Sequence, residues 1–216
     1  MKYKAVVFDL DGTLLNTLQD LADSVNESLK RLGFPEHELE AFKHFVGDGR
    51  DVLAARALPS DRRDTTTINR LVELIDSEYS ERWANKTVLY DGVPYLLDEL
   101  TARKTRLAVL SNKAHVFTEL MVSKMLSQWH FEAVIGVSPE VKKKPDPEAA
   151  LRIARQFGIK SSEFLYLGDS DVDMKTAVAA KMFPVGALWG FRSYEELIQN
   201  GAKAVISHPG DLLPLL

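Results

Sequence analysis

A chain of 216 residues, 45% of them apolar, is long enough for one ordinary domain or for a domain carrying a modest insertion. It contains no cysteine, which excludes thiol catalysis, disulfides and cysteine-ligated zinc, and its formal charge of −4 argues against a nucleic-acid binder held by a basic face. No stretch approaches the ~18 consecutive apolar residues of a membrane span, and the opening MKYKAVVFDLDG lacks the features of a signal peptide, so the expectation is a cytoplasmic protein with no membrane partner.

Ala5 to Phe8 is the first of several continuous apolar runs that suit strands buried on both faces of a parallel sheet. The next stretch, about residues 18–84, shows no strand pattern. Leu18, Leu21, Ala22, Val25, Leu29 and Leu32 form a helical stripe closed by Gly33. Phe42 to Leu58 reads as two short helices divided by Gly47-Asp48-Gly49, and Ile68, Leu71, Val72, Ile75 and Tyr79 form another stripe.

From residue 88 onward helix and strand alternate. Helical patterns cover Pro94–Lys104, Val116–Leu126 and Pro147–Phe157, the last with Gly158 as a natural stop. Strand patterns cover Leu107–Leu110, Ala133–Val137 and Phe164–Leu167, with Pro184–Leu188 and Ala204–Ile206 as further strands near the edge. The expected architecture is an α/β, Rossmann-like doubly wound parallel sheet built from residues 1–16 and 86–216, with an all-helical subdomain inserted at 17–85.

The chemistry begins at Asp9-Leu10-Asp11-Gly12-Thr13, directly after the first strand. In extended backbone, residues two apart point to one side, so both carboxylates face one site beyond the strand's C-terminal end, where open α/β sheets bind ligands. Two like charges this close call for a cation or a shared proton. A pair of solvated turn acids is the bland alternative, and the other strand ends weigh against it.

Ser111-Asn112 offers a hydroxyl and backbone N–H groups after the second predicted core strand, although Ser-Asn is also ordinary turn chemistry. Lys144, in Lys142-Lys143-Lys144-Pro145-Asp146-Pro147, is a cation whose backbone is fixed by prolines just before a helix, placed to neutralise a transferring phosphoryl group. Lys142 and Lys143 read as solvated surface. Gly168-Asp169-Ser170-Asp171-Val172-Asp173 adds hard oxygen ligands that suit Mg²⁺ better than Ca²⁺, because the downstream spacing of a calcium loop is missing.

In this order, DxDGT, Ser-Asn, Lys-Pro and Gly-Asp-x-x-x-Asp, the chain resembles the haloacid dehalogenase superfamily of phosphohydrolases over essentially its whole length, insert included. Softer signals make it most similar to the phosphoglycolate phosphatase branch: Phe45-Val46-Gly47-Asp48-Gly49, Ser111-Asn112-Lys113, Trp189-Gly190-Phe191-Arg192 and His208-Pro209. The resemblance implies Asp9 as nucleophile and Asp11 as proton donor and then base. It implies Mg²⁺ held by the Asp9 carboxylate, the Asp11 main-chain carbonyl and Asp169, with Asp173 as ligand or supporting residue.

By the same resemblance, Ser111 and Lys144 bind phosphoryl oxygens, with Gly12, Thr13 and Asn112 lining the substrate site. The insert is similar to a helical cap that excludes water, and Arg50 in its glycine-rich turn is the candidate substrate contact, an exposed helix-turn arginine being the plain alternative. The implied partner is a small phosphorylated metabolite, with 2-phosphoglycolate leading, and the implied assembly is a monomer or weak homodimer. A β-phosphoglucomutase-like mutase, a pyrophosphatase or nucleotidase, and a binding module with lost activity are the other readings. Asn16 and Lys181 depart from the family's commoner aspartate and glycine.

Overall fold

The computed structural model describes residues 2–216, which divide into two compact units. One unit comprises the chain up to Leu15 together with Leu89–Leu216; the other is Asn16–Val88. The chain enters the core through β1 (Ala5–Phe8) and leaves it along β2 (Leu15–Asn16).

The second unit is helical: α1 (Leu18–Arg31), α2 (Leu39–Phe45), α3 (Arg50–Ala57) and α4 (Thr65–Arg82), after which β3 (Val88–Leu89) pairs with β2. The predicted stripes are its interior. Leu21, Val25 and Leu29 of α1 are buried, as are Phe42, Leu53, Ala54, Leu71, Val72, Ile75 and Tyr79. Gly33 takes the positive φ of 74° expected after a helix, and Asp64 caps α4 by accepting the Thr67 N–H. Asn16 Oδ1 accepts the Leu18 N–H at 3.4 Å, which gives that departure a local use at the start of α1.

The core continues with α5 (Val93–Ala102), β4 (Arg106–Ala114), α6 (His115–Met125), β5 (Ala133–Val137), α7 (Glu148–Phe157), β6 (Phe164–Gly168), α8 (Asp171–Ala179), β7 (Phe183–Ala187), α9 (Tyr194–Gln199) and β8 (Ala204–Ile206). All neighbours in the six-stranded sheet are parallel, in the order β5-β4-β1-β6-β7-β8. β1, β4 and β6 are buried on both faces because helices cover both sides, which is why their sequences read as continuous apolar runs. On one face Ala149, Ala150, Ile153, Ala154 and Phe157 of α7 pack against Val7, Ala108, Ile135 and Tyr166.

Two differences from the sequence reading have physical reasons. The strand expected at Leu107–Leu110 runs on to Ala114, with its pairing to β5 broken after Leu110 and resumed at Ala114 opposite Val137; Ser111 and Asn112 therefore lie in an irregular strand extension and not in a turn. Lys181 adopts φ 59°, the left-handed region that glycine enters at least cost.

β1 is the pivot. Phe8 lies opposite Val109 on one side and Leu167 on the other, so the residues just beyond these strands leave the sheet together. Chain order also reverses here, since later strands add first on the β4 side and then on the β6 side, and that is where such sheets hold ligands.

In the helical unit, Asp20 is 1% exposed, and its carboxylate accepts from the Lys86 N–H, the Thr87 N–H and the Thr87 hydroxyl at 2.7–3.1 Å. Asp20→Ala would strand these donors, so it is expected to destabilise the protein by roughly 2–4 kcal/mol. A shift of the urea midpoint at unchanged m-value is the check.

Candidate active site

Three loops leaving the C-terminal ends of β1, β5 and β6, together with the irregular end of β4, bring the chemistry-bearing residues together within the core unit. Asp9, immediately after β1, is buried, and its Oδ1 lies 2.8 Å from Lys144 Nζ. That oxygen has no partner in hydrogen-bond geometry. Lys144 reaches Asp173 Oδ1 at 2.7 Å with its ammonium, so one buried lysine sits between two buried carboxylates. Its backbone is gripped by Asn112, whose amide donates to the Lys144 carbonyl at 3.1 Å and accepts the Lys144 N–H at 2.7 Å.

Asp173 lies in the first turn of α8, where its Oδ2 accepts from both the N–H and the hydroxyl of Ser170. Asp169 accepts the Thr13 hydroxyl at 3.0 Å on one oxygen and the Phe191 N–H at 2.9 Å on the other. Asp9, Asp169 and Asp173 each present an oxygen within 4.8 Å of the others. Asp11, less deeply placed, receives Lys113 Nζ on both carboxylate oxygens at 3.0 Å. Ser111 is buried, and its hydroxyl oxygen accepts the Lys113 N–H at 3.2 Å.

Three glycines make room for this packing. A Cβ at Gly12 would lie 2.4 Å from Asp169 Oδ2, one at Gly190 would lie 2.2 Å from Asp169 Cβ, and one at Gly168 would lie 2.3 Å from Asp173 Cγ. Gly12 also has φ 86°, so it is required there on two grounds.

A model of the haloacid dehalogenase-like hydrolase family matches residues 6–187. The chain belongs to that family. Among curated haloacid dehalogenase-like relatives, the phosphoglycolate phosphatase of Pseudomonas putida is 33% identical over 98% of this chain and 79% of its own length. That of Nitrosospira multiformis is 33% identical over 94% and 91%. The crystal structure of a predicted phosphoglycolate phosphatase from Haemophilus somnus superposes with a TM-score of 0.91 at 27% identity, covering 100% of this chain and 98% of that one. The chain is thus a haloacid dehalogenase-type phosphatase, similar to phosphoglycolate phosphatases.

Most of the acids and the lysine singled out in the sequence converge on this site. Arg50 lies in the other unit, half exposed at the first position of α3, and pairs there with Asp76. Thr13 is fully buried with its hydroxyl on Asp169, and the Gly12 N–H donates to the Leu15 carbonyl. Asp171, left out of the constellation, pairs with Lys175 on the surface of α8.

Sequence reasoning missed four contributors. Lys113 was visible only as the residue after Ser111-Asn112. Tyr166 is buried beneath Asp173 and offers its hydroxyl to Oδ1 at 3.4 Å, though it reads as one more apolar strand residue. Ser170 looked like a plain loop serine. The Trp189-Gly190-Phe191 segment, noted only as a likeness, holds the Thr13 carbonyl with the Trp189 indole at 2.9 Å and Asp169 with the Phe191 N–H.

The donor set fits a hard divalent cation. Of the three clustered carboxylates, Asp9 and Asp173 share one lysine while Asp169 accepts from the neutral donors Thr13 and Phe191, and every available ligand atom is oxygen. The electrostatics agree. Burial and then the charge of Asp173 raise the Asp9 carboxyl to about 7, Lys144 pulling the other way. Burial and the Asp9 and Asp173 charges likewise hold Asp169 well above the usual carboxylate range. Burial alone would depress Lys144, but Asp173 and Asp9 more than offset it and keep it charged.

Without a cation, Asp9 in the folded protein holds a proton between its ordinary 3.8 and about 7 that the unfolded chain has released. The folded state then binds more protons, so stability falls as pH rises through that window. A divalent cation would offset both the burial of the Asp9 charge and the repulsion from Asp173, which together raise that carboxyl. Mg²⁺ is therefore expected to raise Tm, with a larger increment near pH 8 than near pH 5; thermal melts with Mg²⁺ and with EDTA at the two pH values check this.

Proposed function

We propose that this chain is a Mg²⁺-dependent phosphatase that hydrolyses small phosphorylated metabolites, 2-phosphoglycolate first among them, through a phosphorylated Asp9. The observation that carries the reading is the buried Lys144 held between Asp9 and Asp173, with Asp169 adjoining: a fixed cation beside three clustered acids whose oxygens suit a second, divalent one. The substrate is taken from the names of relatives that align with most of this chain.

In this reading Mg²⁺ would be held by the Asp9 carboxylate, the Asp11 main-chain carbonyl and Asp169, with Asp173 in support, and would supply charge neutralisation at the phosphoryl group. A carboxylate oxygen of Asp9 attacks phosphorus, the bond to the leaving oxygen breaks, and Asp11 gives that oxygen a proton. Water then attacks the phosphorylated aspartate, giving its proton to Asp11 and releasing phosphate. Lys144 neutralises the phosphoryl oxygens in both steps without reorganising, because Asn112 fixes its backbone. Ser111 accepts from Lys113 N–H, which leaves its own hydroxyl proton for a phosphoryl oxygen.

Thr13 and Asn112 serve this site by orienting Asp169 and Lys144, and Gly12 by letting the backbone pass close to Asp169. Arg50 would have to exchange Asp76 for the substrate in order to bind it. The helical unit is read as a cap, the element in which selectivity among phosphate esters resides.

Phosphate release measured across phosphorylated acids, sugars and nucleotides, with Mg²⁺ and with EDTA, tests the reading. Release is expected to be fastest from 2-phosphoglycolate, to vanish with EDTA, and to fall by about 10³-fold or more in Asp9→Asn. Full activity in EDTA or in that variant would overturn the mechanism. Interconversion of sugar phosphates that needs a bisphosphate primer would replace hydrolysis with mutase activity.

A further inference from the structure

The side chain of Lys113 has no part in the roles above, yet it brings a second buried ammonium to the site. Its side chain is 7% exposed, and that of its partner Asp11 is 11% exposed. The residue sits in the irregular stretch of β4 between Leu110 and Ala114, and its backbone is pinned from several directions. Its N–H donates to Ser111 Oγ at 3.2 Å, and its carbonyl accepts the Thr118 hydroxyl at 3.4 Å. A Cβ on Gly136 would come within 2.7 Å of that carbonyl, so the neighbouring strand closes the remaining side.

From this fixed base the ammonium reaches Asp11 and sits 3.0 Å from both carboxylate oxygens. A cation equidistant from the two oxygens fixes the rotation of the carboxylate plane as well as its position. Lys144, by contrast, contacts Asp9 and Asp173. The two lysines are divided between the two acids of the first motif.

We propose that Lys113 is the positioning residue of Asp11, holding its carboxyl group in the orientation from which it passes a proton to the leaving oxygen and later takes one from water. This rests on the reading of Asp11 as proton donor and acceptor. In the first step the Asp9–phosphorus bond forms, the bond from phosphorus to the leaving oxygen breaks, and the proton moves from Asp11 to that oxygen. The carboxylate so formed is the species that the ammonium of Lys113 grips on both sides. In the second step the water oxygen bonds to phosphorus, the bond from phosphorus to the Asp9 oxygen breaks with its electron pair returning to the carboxylate, and the water proton goes to Asp11. No proton passes through Lys113.

The test uses leaving groups. An alkyl phosphate expels a strongly basic alkoxide and depends on protonation, whereas p-nitrophenyl phosphate expels a stable phenolate and does not. The ratio kcat/KM covers the steps up to the first bond cleavage, so it isolates the donor role. Misplacing a catalytic group costs about 10- to 100-fold, and losing a general acid about 10²- to 10⁴-fold.

Lys113→Met is expected to lower kcat/KM for 2-phosphoglycolate by about 10- to 100-fold and that for p-nitrophenyl phosphate by less than about threefold. The retained aryl-ester activity shows in the same assay that the variant is folded. Lys113→Arg is expected to recover part of the alkyl-ester loss, and Asp11→Asn to show the same contrast with a deeper alkyl-ester loss. Equal losses on the two esters in Lys113→Met, with the contrast intact in Asp11→Asn, would overturn the proposal and make Lys113 a binding or structural cation. Should Lys113→Met not fold, Lys113→Arg decides: a loss confined to the alkyl ester supports the proposal, and equal losses reject it. Equal losses in Asp11→Asn would remove the reading of Asp11, and this inference with it.

Discussion

A lysine with no solvent to retreat to, wedged between Asp9 and Asp173, is the contact around which the rest of the core unit is arranged. Taking three carboxylates and an ammonium out of water costs far more than their attraction returns unless the geometry is held from outside. The holding groups are all present: Asn112 on the lysine backbone, Ser170 on Asp173, and Thr13 with Phe191 on Asp169. Even so, one lysine cannot balance three acids. Burial, and then that residue of negative charge, raises the Asp9 and Asp169 carboxyls, and a divalent cation is the species whose charge would offset it.

The sheet makes this expensive cluster affordable in structural terms by bringing the acids in on stiff supports. Strands buried on both faces end in register on either side of β1, so each acid is carried on short, fixed backbone. Glycine at positions 12, 168 and 190 then removes the side chains that would hold the loops apart. Rigidity here comes from close packing and from the hydrogen bonds that Thr13, Asn112, Ser170 and Phe191 make to the charged residues or their backbone.

How much of this could be read in advance follows the same division. Continuous apolar runs and helical stripes gave the strands and helices to within a residue or two at most ends, because burial on both faces or on one stripe leaves a periodic trace. Asp9, Asp11, Lys144, Asp169 and Asp173 were legible because charged residues directly after apolar strands have few other reasons to be there. Lys113 and Tyr166 were not, since a lysine near a strand end and a tyrosine within a strand are ordinary. Only the three-dimensional return of β4 toward the first motif gives Lys113 its partner. The committed Asn112 amide and the fully buried Thr13 hydroxyl were equally invisible, for sequence tells what a side chain can bond and not which neighbour claims it first.

The Asp20 clamp has a bearing on how the chain reaches this state. β1 must pair with β4 across the whole helical insertion, Ala5 meeting Arg106, and a contact so distant along the chain is slow to form in an open coil. Asp20 binds Lys86 and Thr87, residues 66 and 67 positions away, and so fastens the two ends of the insertion to each other. Once the helices have assembled and that fastening is made, the path from Ala5 to Arg106 shortens to the 15 positions before Asp20 and the 19 after Thr87. An insertion that looks like an obstacle to folding the sheet becomes a shorter connection than its length suggests.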